Sequence, residues 1–161
     1  MLISRSIQPT LHKIATQFPV IALLGPRQSG KTTLARLNFS NHKYISLEDL
    51  DVRTQALEDS REFLEFHKNS YGLILDEIQN APTLLSYIQT QVDQVRTPGY
   101  FILTGSQNFL VNQWSKLSGS DPADNYLICA GIEGQKRKNG QVLSWQDSDA
   151  IILRNVISKS S

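Results

Sequence analysis

The sequence predicts a three-layer α/β fold with a parallel sheet, followed by a short β-hairpin-like C-terminal tail. Three observations carry that expectation. Short apolar runs alternate with helical stretches up to about residue 117, the pattern of successive βαβ units. The first strand-like run, Val20-Ile-Ala-Leu-Leu24, is apolar without a break, as strands buried on both faces are. It leads directly into a glycine-containing loop and then a helical stretch, so strand, loop and helix follow one another without a spacer.

Taken in order, Leu11, Ile14, Ala15 and Phe18 recur at helical spacing, and Pro9 suits the first turn of that helix. A second helix is expected from near Gly30 to about Phe39, and Tyr44-Ile-Ser-Leu47 reads as the second strand. Between Glu48 and Glu65 seven acidic residues stand against two arginines. With Phe63, Leu64 and Phe66 this predicts a pair of short helices with one packed side and a solvated acidic face. Tyr71-Gly-Leu-Ile-Leu75 is the third strand. Leu84, Leu85, Ile88, Val92 and Val95 mark an amphipathic helix opened by Pro82 and closed before Pro98-Gly99. Tyr100-Phe-Ile-Leu-Thr104 is the fourth strand, with a further helix expected over residues 108–117.

The character changes after Ser118. Residues 119–124 are loop-like. Tyr126-Leu-Ile-Cys-Ala130 and Val142-Leu-Ser-Trp145 read as strands around a polar stretch, with Asn139-Gly140 favouring a tight hairpin turn. The division expected is therefore a core of residues 1–118 and a tail of residues 119–161. That tail should pack poorly, because a lone hairpin lacks a sheet to join.

Composition narrows the function. Sixteen Lys and Arg against fifteen Asp and Glu leave a net charge of +1, which supports neither a nucleic-acid mantle nor a polybasic membrane surface. One cysteine, Cys129, excludes an intramolecular disulfide framework and a multi-cysteine zinc site. His12, His42 and His67 share no ligand spacing. The run Val20 to Leu24 is too short to span a membrane, and no cleavage site follows it, so a cytoplasmic protein without a membrane partner is expected.

Gly25-Pro-Arg-Gln-Ser-Gly30-Lys31-Thr32 matches the phosphate-binding loop pattern G-x-x-x-x-G-K-[ST] in full, between a strand and a helix. Glycines permit the backbone conformations that turn several N–H groups inward, and the helix start adds positive potential for phosphate oxygens. Gly25, Pro26, Arg27, Gln28, Ser29, Gly30, Lys31, Thr32 and Thr33 are accordingly the expected nucleotide-binding residues. Lys31 has the reach for β- and γ-phosphates, and the Thr32 hydroxyl suits Mg²⁺. The fold class sharpens to a P-loop NTPase core. A glycine turn with a solvated lysine is the competing reading, and the strand–loop–helix setting disfavours it.

Leu73-Ile-Leu-Asp76-Glu77 ends a buried strand with two acids, 45 residues after Lys31. Asp76 is expected in the Mg²⁺ shell, and Glu77 as the base for a water attacking the γ-phosphate. Thr104-Gly-Ser106-Gln107 ends the fourth strand. Thr104 and Ser106 are the candidates there for a hydrogen bond to phosphate or water, against the alternative of an ordinary strand-to-helix turn.

Together these strings resemble a known family. Gly-Pro-Arg-Gln-Ser-Gly-Lys-Thr-Thr-Leu-Ala-Arg (25–36), Tyr-Ile-Ser-Leu-Glu-Asp (44–49), Leu-Asp-Glu-Ile-Gln (75–79) followed by Ala-Pro-x-Leu-Leu, and Phe-Ile-Leu-Thr-Gly-Ser-Gln-Asn (101–108) are similar to the prokaryotic AAA-type ATPases that carry a nuclease-like C-terminal domain. The resemblance covers about residues 3–118. It implies ATP, Mg²⁺, the Asp76–Glu77 pair in metal and water roles, and a polar sensor between Thr104 and Asn108. The family pattern then has a Leu-Ala-Gly-Arg-like signature, where this chain has Leu117-Ser-Gly-Ser120. The stretch from Asn125 to Trp145 is similar to the closing strands of that C-terminal domain, so the chain looks like an internally deleted member.

The leading reading is an ATP-binding P-loop protein, a slow Mg²⁺-dependent ATPase lacking the family-like arginine. An inactive remnant or protein-interaction module is the alternative, and a small-molecule kinase is a third reading. The kinase reading is weakened because only Lys116 lies between Gln107 and Asp124 to serve as a cationic lid. A GTPase is weaker still, since no Asn-Lys-x-Asp motif occurs. A homo-oligomer or another protein stays open as partner, and DNA enters by family association alone.

Overall fold

A computed structural model describes residues 4–106, 126–129, 135–137 and 140–144. The elements follow in the order α1 (Ser4–Ala15), β1 (Val20–Leu24), α2 (Lys31–Asn38), β2 (Lys43–Ser46), α3 (Leu50–Glu58), α4 (Ser60–Phe66) and β3 (Leu73–Asp76). A 3₁₀ turn (Ile78–Asn80), α5 (Thr83–Gln94), β4 (Phe101–Gly105), β5 (Tyr126–Cys129), β6 (Gln135–Arg137) and β7 (Gly140–Ser144) complete them. The strands form one sheet in the order β2-β3-β4-β1-β5-β7-β6. Every neighbouring pair is parallel except β6 with β7. The fold is α/β, as the alternation of elements predicts.

Period-two alternation divides the sheet into two packed faces. Val20, Ala22, Leu24, Leu73, Leu75, Phe101 and Leu103 face one way and pack with Ala56 of α3, Phe63 and Leu64 of α4, and Leu84, Leu85 and Ile88 of α5. Ile21, Leu23, Ile74 and Ile102 face the other way, onto Ile7, Leu11 and Ile14 of α1 and Leu34 and Ala35 of α2. Each of these side chains is buried, so each contributes roughly 1.5–3 kcal/mol of transfer free energy for the large aliphatics. The second face carries the chemistry, because Asp76 and Thr104 share the parity of Ile74 and Ile102.

Four expectations need correction. Pro9 lies inside α1 rather than in its first turn, since the helix begins at Ser4. Ile7, Leu11 and Ile14 explain the extra turn: their i, i+4, i+7 stripe is buried and extends upstream of the proline. Phe66 does not join the packed side of the helix pair. It ends α4 at 77% exposure, its ring met by the Lys43 ammonium 5.7 Å from the centroid, while Phe63 and Leu64 fill the stripe. Val95 falls outside α5, in extended backbone at its C-cap, and is exposed.

The fourth correction concerns the tail. The expected partners, the strands at Tyr126 and Val142, run parallel rather than as a hairpin, with Leu127 opposite Val142. The antiparallel pair in the tail is β6 with β7, Lys136 opposite Gln141. β5 lies parallel beside β1, Leu127 opposite Ala22, so the open edge of β1 supplies the sheet that the tail was expected to lack. The helix expected over residues 108–117 lies outside the described residues.

Candidate phosphate-binding site

Three strand ends meet at one edge of the sheet. β1 feeds the loop Gly25 to Thr32, β3 ends in Asp76, and β4 ends in Thr104 and Gly105. β4 lies between β1 and β3, with Leu23 paired to Thr104 and Leu75 to Leu103. The Gly25 N–H donates to the Gly105 carbonyl at 3.3 Å, tying the root of the loop to the end of β4. Ligands of open parallel sheets bind at this carboxyl edge.

The loop turns through two left-handed residues, Gln28 (φ 60°) and Gly30 (φ 82°), on either side of Ser29. Alternating backbone handedness of this kind gathers N–H groups into an anion-binding concavity. A side chain at Gly30 would meet no atom within 4 Å, so the demand for glycine there comes from φ, not from crowding. At Gln28 the same conformation is borne by an ordinary side chain, which the sequence pattern does not reveal.

Lys31 opens α2 and is 4% exposed. Its Nζ donates to the Gly25 carbonyl at 3.1 Å and the Pro26 carbonyl at 2.7 Å. Among the described residues the ion pairs are Arg27 with Glu48 and Lys68 with Glu65, so no carboxylate partners Lys31. An ammonium has three donor positions, and one is left. The Ser29 hydroxyl, in the same loop, is buried without a hydrogen-bond partner among the described residues.

Beside the loop lies a dense set of oxygen contacts. The Thr32 hydroxyl donates to Asp76 Oδ1 at 2.7 Å. The Thr104 hydroxyl donates to the same oxygen and accepts from the Glu77 N–H at 3.1 Å. The Tyr44 hydroxyl donates to Asp76 Oδ2 at 2.8 Å. Burial first, and then the bond to Asp76, push the Tyr44 phenol up to about 12, so it stays a donor across the ordinary pH range. Glu77 takes a left-handed backbone (φ 57°) that ends the strand and starts the 3₁₀ turn. The turn brings Gln79 back, where its Nε2 donates to Glu77 Oε2 and its Oε1 accepts from the Ser106 N–H at 3.3 Å.

The structure therefore brings Lys31, Thr32, Asp76, Glu77, Thr104 and Ser106 to one edge. Ser106 takes part through its backbone N–H. Pro26, Arg27, Gln28 and Thr33 are exposed, and Arg27 reaches outward to Glu48 at 3.8 Å. Two contacts at this edge were not assigned from the sequence, those of Tyr44 and Gln79. Tyr44 has the parity of Ile74 and Asp76 in the β2–β3 register, a signal that exists only once strand pairing is known. Gln79 stands two residues from Glu77, but only the tight turn makes that spacing a contact.

Thr32 and Asp76 offer oxygen donors, the kind Mg²⁺ requires. The orphaned Ser29 hydroxyl and the spare N–H of Lys31 fit a phosphate group. Among the described residues no group of three or more His, Cys, Asp or Glu gathers as a metal cluster, and no helix is long and apolar enough to cross a membrane.

A buried lysine at the start of a helix, a left-handed loop before it, and an acid at a strand end one strand removed define a P-loop NTPase-like core. Comparison with known proteins narrows the class: a family model described as an AAA domain matches residues 17–126. The chain belongs to this AAA-type ATPase family, and membership implies ATP binding. Uncharacterized proteins of Mycobacterium bovis and Mycobacterium tuberculosis are each 32% identical to it over 107 residues, 66% of this chain and 24% of theirs. The chain thus spans about a quarter of the length of the curated relatives it matches. No solved structure matches it.

Proposed function

We propose that this protein binds ATP at the carboxyl edge of the sheet and hydrolyses it slowly in a Mg²⁺-dependent reaction. The observation that carries the reading is Lys31, a buried cation held by two carbonyls and, among the described residues, by no acid. Burying an ammonium without a counter-charge costs several kcal/mol, on the order estimated for single buried ions. An anionic phosphate is the natural complement.

Gly25 to Thr33 would hold the phosphates, and Thr32 with Asp76 would hold Mg²⁺, which as a Lewis acid neutralises phosphate charge when bound. Glu77 acts as general base. Gln79 occupies its Oε2 and leaves Oε1 to take the proton of a water. The water oxygen bonds to the γ-phosphorus as the bond to the bridging oxygen breaks, yielding ADP and inorganic phosphate. Thr104, fully buried, acts through Asp76 and Glu77, while the Ser106 N–H steadies Gln79. Slow turnover follows from Ser120 standing where the family-like arginine is expected, since such an arginine contributes on the order of 10³-fold or more to phosphoryl transfer.

In the same reading, residues 1–118 are the ATPase core and residues 119–161 are what is left of a nuclease-like C-terminal domain. A protein that binds nucleotide without turnover is the competing reading, favoured by the same absence of arginine from Leu117 to Ser120. The test is a titration with fluorescent ATP and GTP analogues, with and without Mg²⁺, on wild type and Lys31→Ala. Saturable, Mg²⁺-enhanced binding is expected for wild type. In Lys31→Ala it should weaken by about tenfold to a hundredfold, the loss of the one charge-assisted hydrogen bond that the spare Lys31 N–H can give a phosphate. Equal affinity in both proteins would refute the site.

A further inference from the structure

We propose that Tyr44 is a positioning residue of the cation site: its hydroxyl fixes the Oδ2 edge of the Asp76 carboxylate, so that one acceptor position faces a hydrated divalent cation. The inference rests on the nucleotide-binding reading above and goes beyond the residues of the loop and the acid pair.

A carboxylate offers about four lone-pair positions on its two oxygens. Thr32 and Thr104 both donate to Oδ1, and Tyr44 donates to Oδ2. Oδ1 is filled, so the open position is on Oδ2, the oxygen that Tyr44 holds. Without the phenol, the two threonines fix one oxygen and leave the other edge of the carboxylate to swing.

Strand register puts the phenol there. Tyr44 pairs with Ile74 and Ser46 with Asp76, so the ring starts two residues short of the acid on the same sheet face and spans the gap. The ring is held from the helix side as well: the Arg36 guanidinium of α2 lies 4.8 Å from its centroid. Tyr44 is on the edge strand β2 and forms part of the wall of a cavity of about 510 Å³ lined also by Thr32, Arg36, Phe39 and His42. A phenylalanine would fill the same wall and keep the Arg36 contact. What the hydroxyl adds is therefore the bond to Asp76, with a second contact to the Ser46 side chain, and the Asp76 bond aims a ligand rather than filling a core. Groups that orient metal ligands in this way commonly govern metal affinity or activity by about ten- to a hundredfold.

The experiment measures binding. A non-hydrolysable fluorescent ATP analogue is titrated against full-length wild type and Tyr44→Phe, first without metal and then at fixed analogue across a Mg²⁺ series. The metal-free affinities should agree within about twofold, which also reports an intact fold, while the half-saturating Mg²⁺ of Tyr44→Phe should rise by about tenfold. In an Asp76→Asn background, Tyr44→Phe should add no further shift. Superimposable Mg²⁺ curves for wild type and Tyr44→Phe, or a full additional shift in the Asp76→Asn background, would overturn the proposal while leaving nucleotide binding in place. Absence of saturable binding by wild type would instead overturn the nucleotide reading itself, and this inference with it.

Discussion

The two edges of the sheet both place polar groups against packed backbone, and they do so to different ends. At the amino edge, before β2, β3 and β4, the His42 ring meets the Gly99 carbonyl at 2.7 Å, and Gly72 bridges two strands through its carbonyl, which accepts from the Lys43 N–H at 3.0 Å. These groups end on backbone partners inside the fold. At the carboxyl edge Asp76, Thr104 and Glu77 are also bonded to one another, but among the described residues Lys31 is a buried cation without an acid and the Ser29 hydroxyl has no partner. The His42 and Gly72 bonds lock strand ends together at the amino edge, although Asn38 Oδ1 and His67 Nδ1 on that side are buried without a partner among the described residues. What sets the carboxyl edge apart is the buried Lys31 cation, which a phosphate would complete.

If that contrast is right, damage at the amino edge should cost stability and spare nucleotide affinity. The largest effect is expected at Gly72, where φ is +129° and an added Cβ would collide with the Tyr100 carbonyl and approach the His42 ring to 2.7 Å. Gly72→Ala should lose about 3 kcal/mol or more of unfolding free energy, from strain and overpacking together. Urea denaturation measures the loss, and the folded fraction should keep wild-type affinity for an ATP analogue. A large loss of affinity in molecules that are still folded would erase the distinction between the edges.

A smaller effect separates the edges by pH. Burial pulls the pKa of His42 below its ordinary 6.5, opposed by its bond to Gly99, and burial with the nearby Lys43 pulls His67 down too. Below 6.5 the unfolded chain takes up protons that the folded chain resists. The stability from neutral histidines is therefore whole above that pH and is lost as pH falls through the depressed folded values. The Tm should decline from about pH 6.5 toward pH 5. His42→Gln, which keeps a donor for Gly99 and removes the titration, should make that decline shallower while His67 preserves part of it. An unchanged slope would show that the amino edge does not sense protons through His42.

The same contrast explains what could be read without coordinates. Four strands, the loop, the helix after it and the pair of short helices were legible because periodicity is local: Val20 to Leu24 has no polar interruption, and Leu84, Leu85 and Ile88 mark one helix face. That Lys31, Thr32, Asp76 and Glu77 lie at one edge was legible because the loop pattern and an acid pair ending a buried strand are both local signals. Tyr44 was not, since only the pairing of β2 with β3 carries it to Asp76. The tail pairing was not, because nothing in residues 126–144 announces that β1 has an open edge. Pro9 misled for the converse reason: a local rule for helix starts was overridden by Ile7, buried against the second sheet face.

The most direct test of the account asks whether binding and water activation belong to different residues of the carboxyl edge. Glu77→Gln preserves the size of the side chain and removes its basicity. Steady-state phosphate release and ATP-analogue affinity are measured for it and for wild type at matched concentrations. The account predicts affinity within about twofold of wild type and a slow wild-type turnover that falls by about a hundredfold or more in Glu77→Gln, within the range set by loss of a general base. Brisk phosphate release that survives Glu77→Gln would contradict it.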